Sequence, residues 1–352
     1  MGAVNKIPGV SGGIVALIFG FYEKLILSFS RFDFKSFTIF RKKGFKSFFM
    51  HINGEFLALL LFGIISCEKV IPFDENEVSP KMAINGIFQS DTNWRIHVSS
   101  SRSVIDSASF KNITNASAFI LDGNENLIEE LMHDTNGFYI GSTSPQENLN
   151  YYLFVDHPTL NSVRSQNVIP SLINIIGIDT ATSYSNGEKY LDLIINFEDP
   201  GNITNYYLVE TYMVSEGLEI ENGDTLFAEI DTNKAFMLLN DEVFQNGGSP
   251  WQDQGLFNDI LFNGQSKSLE ISLPNEDYFW NEAGYIWSYR NIGLRFYLHN
   301  ISQDYYYYRR SLELYNQASD NPFAQPVQVY SNIENGFGIF AGAQVNYFDI
   351  EL

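Results

Sequence analysis

Residues 190–197 read Tyr-Leu-Asp-Leu-Ile-Ile-Asn-Phe, with Leu191, Leu193, Ile195 and Phe197 at every second position. Alternate side chains of an extended backbone point to one side, so this spacing predicts a strand with one face on a core. The pattern recurs along the chain. Trp94, Ile96 and Val98 alternate in one segment, Leu269, Ile271 and Leu273 in another, and Leu294, Phe296 and Leu298 in a third. Half-buried strands of this kind build antiparallel sandwiches with a wet outer face. Asp122-Gly123-Asn124, Asn186-Gly187, Asn222-Gly223-Asp224 and Asn246-Gly247-Gly248 lie between such segments and supply the positive φ of tight turns.

The body is therefore predicted to be mainly β. Ile169-Pro170 marks a boundary between a sandwich over 81–168 and a larger second β domain over 169–352. Within the second domain, Tyr308, Leu312 and Tyr315 recur at helical spacing, with Asp304 placed to cap. They predict one short helix over about 304–318, ended by Asn321-Pro322. No fixed-period repeat is visible, which disfavours a propeller or solenoid.

Composition supports this and excludes several classes. The 352 residues include 30 Phe and 20 Tyr against 4 Trp, a bias toward sheets. Hydrophobic residues make up 45% and charged residues 18%, so wholesale disorder is excluded. A single cysteine, Cys67, rules out an intramolecular disulfide framework and a multi-thiolate zinc site. The net charge of −21 argues against nucleic-acid binding, which needs a basic face.

That charge is unevenly spread. Residues 1–66 carry eight basic and three acidic side chains, net +5, whereas the rest carry 13 basic and 39 acidic, net −26. The head is an apolar, helical N-terminal segment with two short apolar runs. Gly9–Tyr22 is too short to cross a bilayer as a straight helix and reads as a re-entrant, bundle-packed or interfacial one. Phe56–Ile65 follows the basic run Arg41-Lys42-Lys43…Lys46 and ends at Ser66-Cys67, the layout of a secretory signal. Ile64, Ile65, Ser66 and Cys67 look like a bacterial lipobox, whose cysteine is lipidated and becomes the mature N-terminus. The alternative is a short buried helix ending in cysteine. Residues 67–80 form an acidic tether to the first sandwich.

Catalytic motifs fail on context. Gly9-Val10-Ser11-Gly12-Gly13 matches G-x-S-x-G, but Pro8 precedes it and no strand can present the serine. Asp122-Gly123-Asn124-Glu125-Asn126 begins like a calcium loop, yet Leu127 and His133 stand where glycine and glutamate are needed, so a hairpin turn is expected. His51, His97, His133, His157 and His299 show no ligand spacing. Two aromatic groups stand out. Tyr305–Tyr308 with Arg309 and Arg310 has the character of a binding surface. Trp251, Tyr278, Trp280, Tyr285 and Trp287 either form a platform for a sugar or peptide or fill a sandwich core and its loops, the reading that strand propensity favours.

Two resemblances complete the reading. The opening, with Gly2, Pro8, Gly9, Val10, Ser11, Gly12, Gly13, Tyr22, Glu23, Leu25 and Ile26, resembles the start of the polyprenyl-phosphate transporter family (domain of unknown function 368) over about the first 60 residues. That family implies a multi-helix membrane protein recycling a carrier lipid; most of its helices have no counterpart here, so transport is not carried over. From Cys67 onward the chain resembles a Bacteroidota lipoprotein family, domain of unknown function family 4249. The matching stretches include Cys67–Ile71, Phe197-Glu198-Asp199-Pro200, Asn205-Tyr206-Tyr207, Val329–Ile333 and Glu334-Asn335-Gly336. This resemblance implies immunoglobulin-like β domains, acyl chains on Cys67, an outer-membrane location and company with TonB-dependent transporters. It implies no catalytic residue and no cofactor.

The chain thus reads as the head of one family joined to the body of another, through a deletion that fused neighbouring genes or through a sequence-assembly error. The expected protein is a non-enzymatic, lipid-anchored envelope module that binds no metal or nucleic acid, with its oligomeric state open. The alternative is an inner-membrane protein with a periplasmic β body. A carbohydrate-active enzyme with dispersed carboxylates is a third possibility.

Overall fold

The alternating segments form strands, and their every-second-residue faces are the cores. The computed structural model describes residues 21–31, 33–55, 79–102, 110–201, 203–221, 224–244, 251–282, 285–319, 321 and 324–352. Two compact units divide the chain, Met1–Asn76 and Glu77–Leu352.

In the first unit, α1 (Phe21–Ser30) and α2 (Phe34–His51) are joined by a capped turn. The Asp33 carboxylate accepts the Ser36 N–H at 2.9 Å, and Ser36 Oγ donates to the Asp33 carbonyl at 2.7 Å. Such a cap satisfies donors that a helix start leaves free. Gly44, at φ 80°, interrupts α2. No helix among the described residues is long and apolar enough to cross a membrane.

Among its described residues, the second unit is mainly β with one helix. Its first part contains β1 (Met82–Phe88), β2 (Arg95–Ser100), β3 (Lys111–Asn112), β4 (Ser117–Leu121), β5 (Leu127–His133), β6 (Phe138–Ile140), β7 (Asn150–Asp156) and β8 (Val163–Val168). Then follow β9 (Ile175–Ser185), β10 (Glu188–Glu198), β11 (Tyr206–Glu221), β12 (Asp224–Lys234), β13 (Met237–Leu238), β14 (Trp251–Gln252), β15 (Gly255–Asn258) and β16 (Ser266–Pro274). The last elements are β17 (Tyr278–Glu282), β18 (Tyr285–Ile301), α3 (Gln303–Ser319) and β19 (Phe337–Glu351). Among the described residues, one hydrogen-bonded path runs β12-β11-β18-β19-β1-β2-β6-β5-β4-β7-β8, with β15, β17 and β3 on its sides. A second sheet has the order β14-β13-β16-β10-β9.

Two cores result. Ile84, Trp94, Ile96, Val98, Ile120 and Leu153 fill the first sandwich. Leu193, Phe197, Tyr207, Phe257, Ile271 and Phe296 fill the space under the second sheet. The alternating apolar residues named in the four segments are each at most 4% exposed. The hairpin between β9 and β10 turns on Asn186 (φ 52°) and Gly187 (φ 90°), the two-residue turn that matches strand twist.

The last strand joins both parts. Its first half pairs in parallel with β1, Ala83 to Phe337 through Phe88 to Gly342, and its second half pairs with β18, Ile301 to Ala343 through Gly293 to Glu351. Gly338 makes the parallel contact possible: at φ 101°, a Cβ there would stand 1.9 Å from the Ile84 carbonyl oxygen. The predicted helix is α3, but its cap differs. Ser302 Oγ, not Asp304, faces the first turn, accepting the Tyr305 N–H at 3.4 Å, while the Asp304 carboxylate is taken by Tyr330, Asn167 and Asn332.

Candidate functional site

The lipobox Ile64, Ile65, Ser66 and Cys67 and the head motif Pro8, Gly9, Ser11, Gly12 and Gly13 lie outside the described residues. Asn335 and Gly336 are described, in the turn that leads into β19, with Asn335 at φ 61°. Beside them Asn332 imitates a strand neighbour. Its amide donates to the Phe340 carbonyl at 2.7 Å, and its oxygen accepts the Phe340 N–H at 3.0 Å. This stretch is a structural joint. It borders a polar crevice of about 470 Å³ lined by Tyr152, Arg164, Gln166, Asp304, Tyr330 and Glu334 among others.

The other shared stretches also hold the fold. Asp199 accepts the Tyr207 hydroxyl and, at 2.7 Å, the Gly264 N–H; burial holds its carboxyl above the usual range. Asp259 accepts the Asn205 N–H at 2.7 Å and the Asn263 amide at 3.1 Å. Phe197–Pro200 and Asn205–Tyr207 therefore tie loops together through buried carboxylates. The calcium-like stretch is the expected hairpin turn, with the Asp122 carboxylate accepting the N–H groups of Asn124 at 2.8 Å and Asn126 at 2.9 Å. No cluster of three or more His, Cys, Asp or Glu able to hold a metal occurs among the described residues.

One charged cluster is half-buried. Lys234 Nζ lies 2.7 Å from Glu210 and 3.2 Å from Asp253, and His299 Nε2 lies 3.5 Å from Glu210. Burial alone would raise the Glu210 carboxyl, but His299 and Lys234 outweigh it and bring it down to about 2. The Tyr305–Arg310 stretch is only partly buried, with Tyr307 still 43% exposed. Tyr306 is buried with Leu208, Ile301 and Ala343, Tyr206 lies 4.9 Å from it, and Arg309 stands over the Tyr305 ring.

The second aromatic group contradicts the core reading that strand propensity favoured. It also divides. Trp251 belongs to the second sheet, half-buried beside Tyr190 at 6.0 Å. Tyr278, Trp280, Tyr285 and Trp287 lie where β12, β11, β18 and β17 run on as a four-stranded arm. The core face of β11, carrying Val209 and Met213, continues along the arm through Ser215, Gly217 and Glu219, because alternate residues share a face. In one row across that face, register pairs Glu229 with Gly217, Gly217 with Tyr289, and Tyr289 with Tyr278. In the next row Phe227, Glu219, Trp287 and Trp280 follow in the same way.

Trp280 is 53% exposed and Trp287 38%. All residues of β12 except Lys234 and all of β17 are exposed. The opposite face also leaves apolar side chains uncovered, with Ile230 at 65% and Phe279 at 69%. A crevice of about 270 Å³ at the root of the aromatic face is lined by Glu188, Pro274, Glu276, Tyr278, Tyr289 and Asn291. Large contiguous exposed apolar surface is uncommon on a free monomer and marks a contact site. Alternation alone could not reveal this, since an overhanging strand shows the same pattern as a covered one.

Comparison with known proteins divides the chain at the same seam as its charge. Residues 1–72 match the family model described as undecaprenyl phosphate translocase-like. A polyprenyl-phosphate transporter of Vibrio cholerae serotype O1 is 41% identical over 66 residues, 19% of this chain and 21% of that protein. The chain thus spans about a fifth of that relative's length. Residues 68–347 match the model of a domain of unknown function, DUF4249, beginning one residue after Cys67. That match takes in the sheets, both cores, α3 and the arm, and the chain belongs to the DUF4249 family.

Proposed function

We propose that this protein is a non-catalytic binding or accessory module of the cell envelope, anchored by lipid on Cys67 at the outer membrane and working beside a TonB-dependent transporter. The observation that carries the binding role is the arm, with apolar side chains exposed on both faces of a sheet. The Ile64–Cys67 tetrad supports the anchor, as does a family match that begins at residue 68. Several acyl chains hold a protein firmly where one does not. Mass spectrometry of the mature N-terminus tests the anchor: acylated Cys67 at the first position is expected, and residues 1–66 still attached with free Cys67 would refute it.

A second reading draws on the transporter-like head, under which residues 1–66 stay in the inner membrane and the β body faces the periplasm. Membrane fractionation of Cys67→Ser separates the two. Release from the membrane supports the lipid anchor, and retention supports the inserted head.

A further inference from the structure

Resting on the binding role above, we propose that the aromatic face of the arm docks a basic, apolar segment of a partner protein, with arginine or lysine side chains set between its rings and carboxylates. Charge complementarity makes the selection. The face and its root carry Glu219, Glu229, Glu282, Glu276 and Glu188, and among the described residues none of these forms an ion pair with a lysine or arginine. Two bases lie nearby and are already engaged: Lys189 with Asp277 at 3.9 Å, and Arg290, on the opposite face, with Glu216 at 2.8 Å.

The chain itself shows what such a surface accepts. Arg295 lies over the Tyr347 ring at 4.8 Å while pairing with Asp349 at 2.6 Å. Arg164 lies over the Tyr152 ring at 4.6 Å while pairing with Glu125 at 2.8 Å. In both, a ring and a carboxylate together hold a guanidinium, combining cation–π attraction with a charge-assisted hydrogen bond. On the arm, Glu219 lies between Phe227 and Trp287 in register, and no base is supplied. Gly217 lets the neighbouring rings close over the strand: it is itself buried, and a Cβ there would stand 3.5 Å from the Phe227 ring and 4.0 Å from the Tyr289 ring.

Other occupants fit less well. A second copy would bring carboxylates against carboxylates, and an anionic lipid surface would repel the same groups. For a sugar, the Trp287 and Tyr289 rings are within 13° of parallel but the Trp280 and Tyr285 rings are inclined at 65°, so the face offers no single plane across all its rings.

The test titrates the purified full chain with a short synthetic peptide alternating arginine and leucine, following tryptophan fluorescence. Its glutamate–leucine counterpart, soluble oligosaccharides and anionic phospholipid vesicles are run alongside. The proposal expects saturable binding of the basic peptide alone, weakened by salt and cut at least about tenfold by Trp287→Ala or Glu219→Gln. Glu130→Gln with Asp134→Asn, distant exposed carboxylates, should leave it unchanged, and circular dichroism confirms that each variant is folded. Equal losses in that control, equal binding of the acidic peptide, preference for oligosaccharide or vesicle, or arm-dependent self-association in sedimentation would each overturn it. The titration needs no acyl chain, so its failure leaves the Cys67 anchor standing, and failure of the anchor leaves the titration readable.

Discussion

Trp280 and Trp287 are register partners across the β17–β18 hairpin, and both remain exposed on a face that continues the buried core side of β11. Farther down the same strands, Phe296 and Leu298 of β18 are 0% and 1% exposed. One sheet therefore serves two purposes along its length. Where the second sheet covers it, the apolar face is a core; beyond that cover, it is a surface.

This contrast predicts opposite responses to similar truncations. Phe296→Ala should destabilise the fold by about 3–5 kcal/mol, through lost burial and a cavity. Trp280→Ala and Trp287→Ala should each cost less than about 1 kcal/mol, since exposed cross-strand pairs contribute little. Urea unfolding of the three variants checks this.

Gly338→Ala should be among the most damaging small changes. The residue sits at φ 101°, and its new Cβ would run into the Ile84 carbonyl where β1 and β19 pair. A loss of more than about 2 kcal/mol is expected, since both strain and a displaced strand contribute. Glycines without such a clash, such as Gly177, should accept alanine within about 1 kcal/mol. Thermal unfolding of both variants separates them.

Glu210 makes the acid limb of stability predictable. Its carboxyl is held below the ordinary 4.5, at about 2, so its contribution is present above the ordinary value and is lost as pH falls toward 2. Glu210→Gln should therefore flatten the pH dependence between about 4.5 and 2 while lowering stability at neutral pH. Urea midpoints measured through that window give the comparison.

The sequence made the local rules legible and left the pairing hidden. Alternation at Leu191–Phe197 and Leu294–Leu298 identified buried faces, and the 3.6-residue spacing of Tyr308, Leu312 and Tyr315 identified α3. Periodicity does not say which strand lies beside which, so the parallel pairing of the last strand with β1 carried no local signal. Asp304 looked like a cap because capping residues are polar and short, yet its carboxylate serves Tyr330 and two asparagines brought from elsewhere in the chain. The arm was misjudged for a related reason. Aromatic strand residues are predicted to be buried, and only the opposing sheet decides whether they are.

The central claim is that this arm engages another envelope protein, and crosslinking in the living cell tests it most directly. A photo-reactive residue placed at position 280 should give one discrete adduct containing an outer-membrane transporter, absent when the probe is moved to position 130. No adduct from position 280, or the same adducts from both positions, would contradict the account.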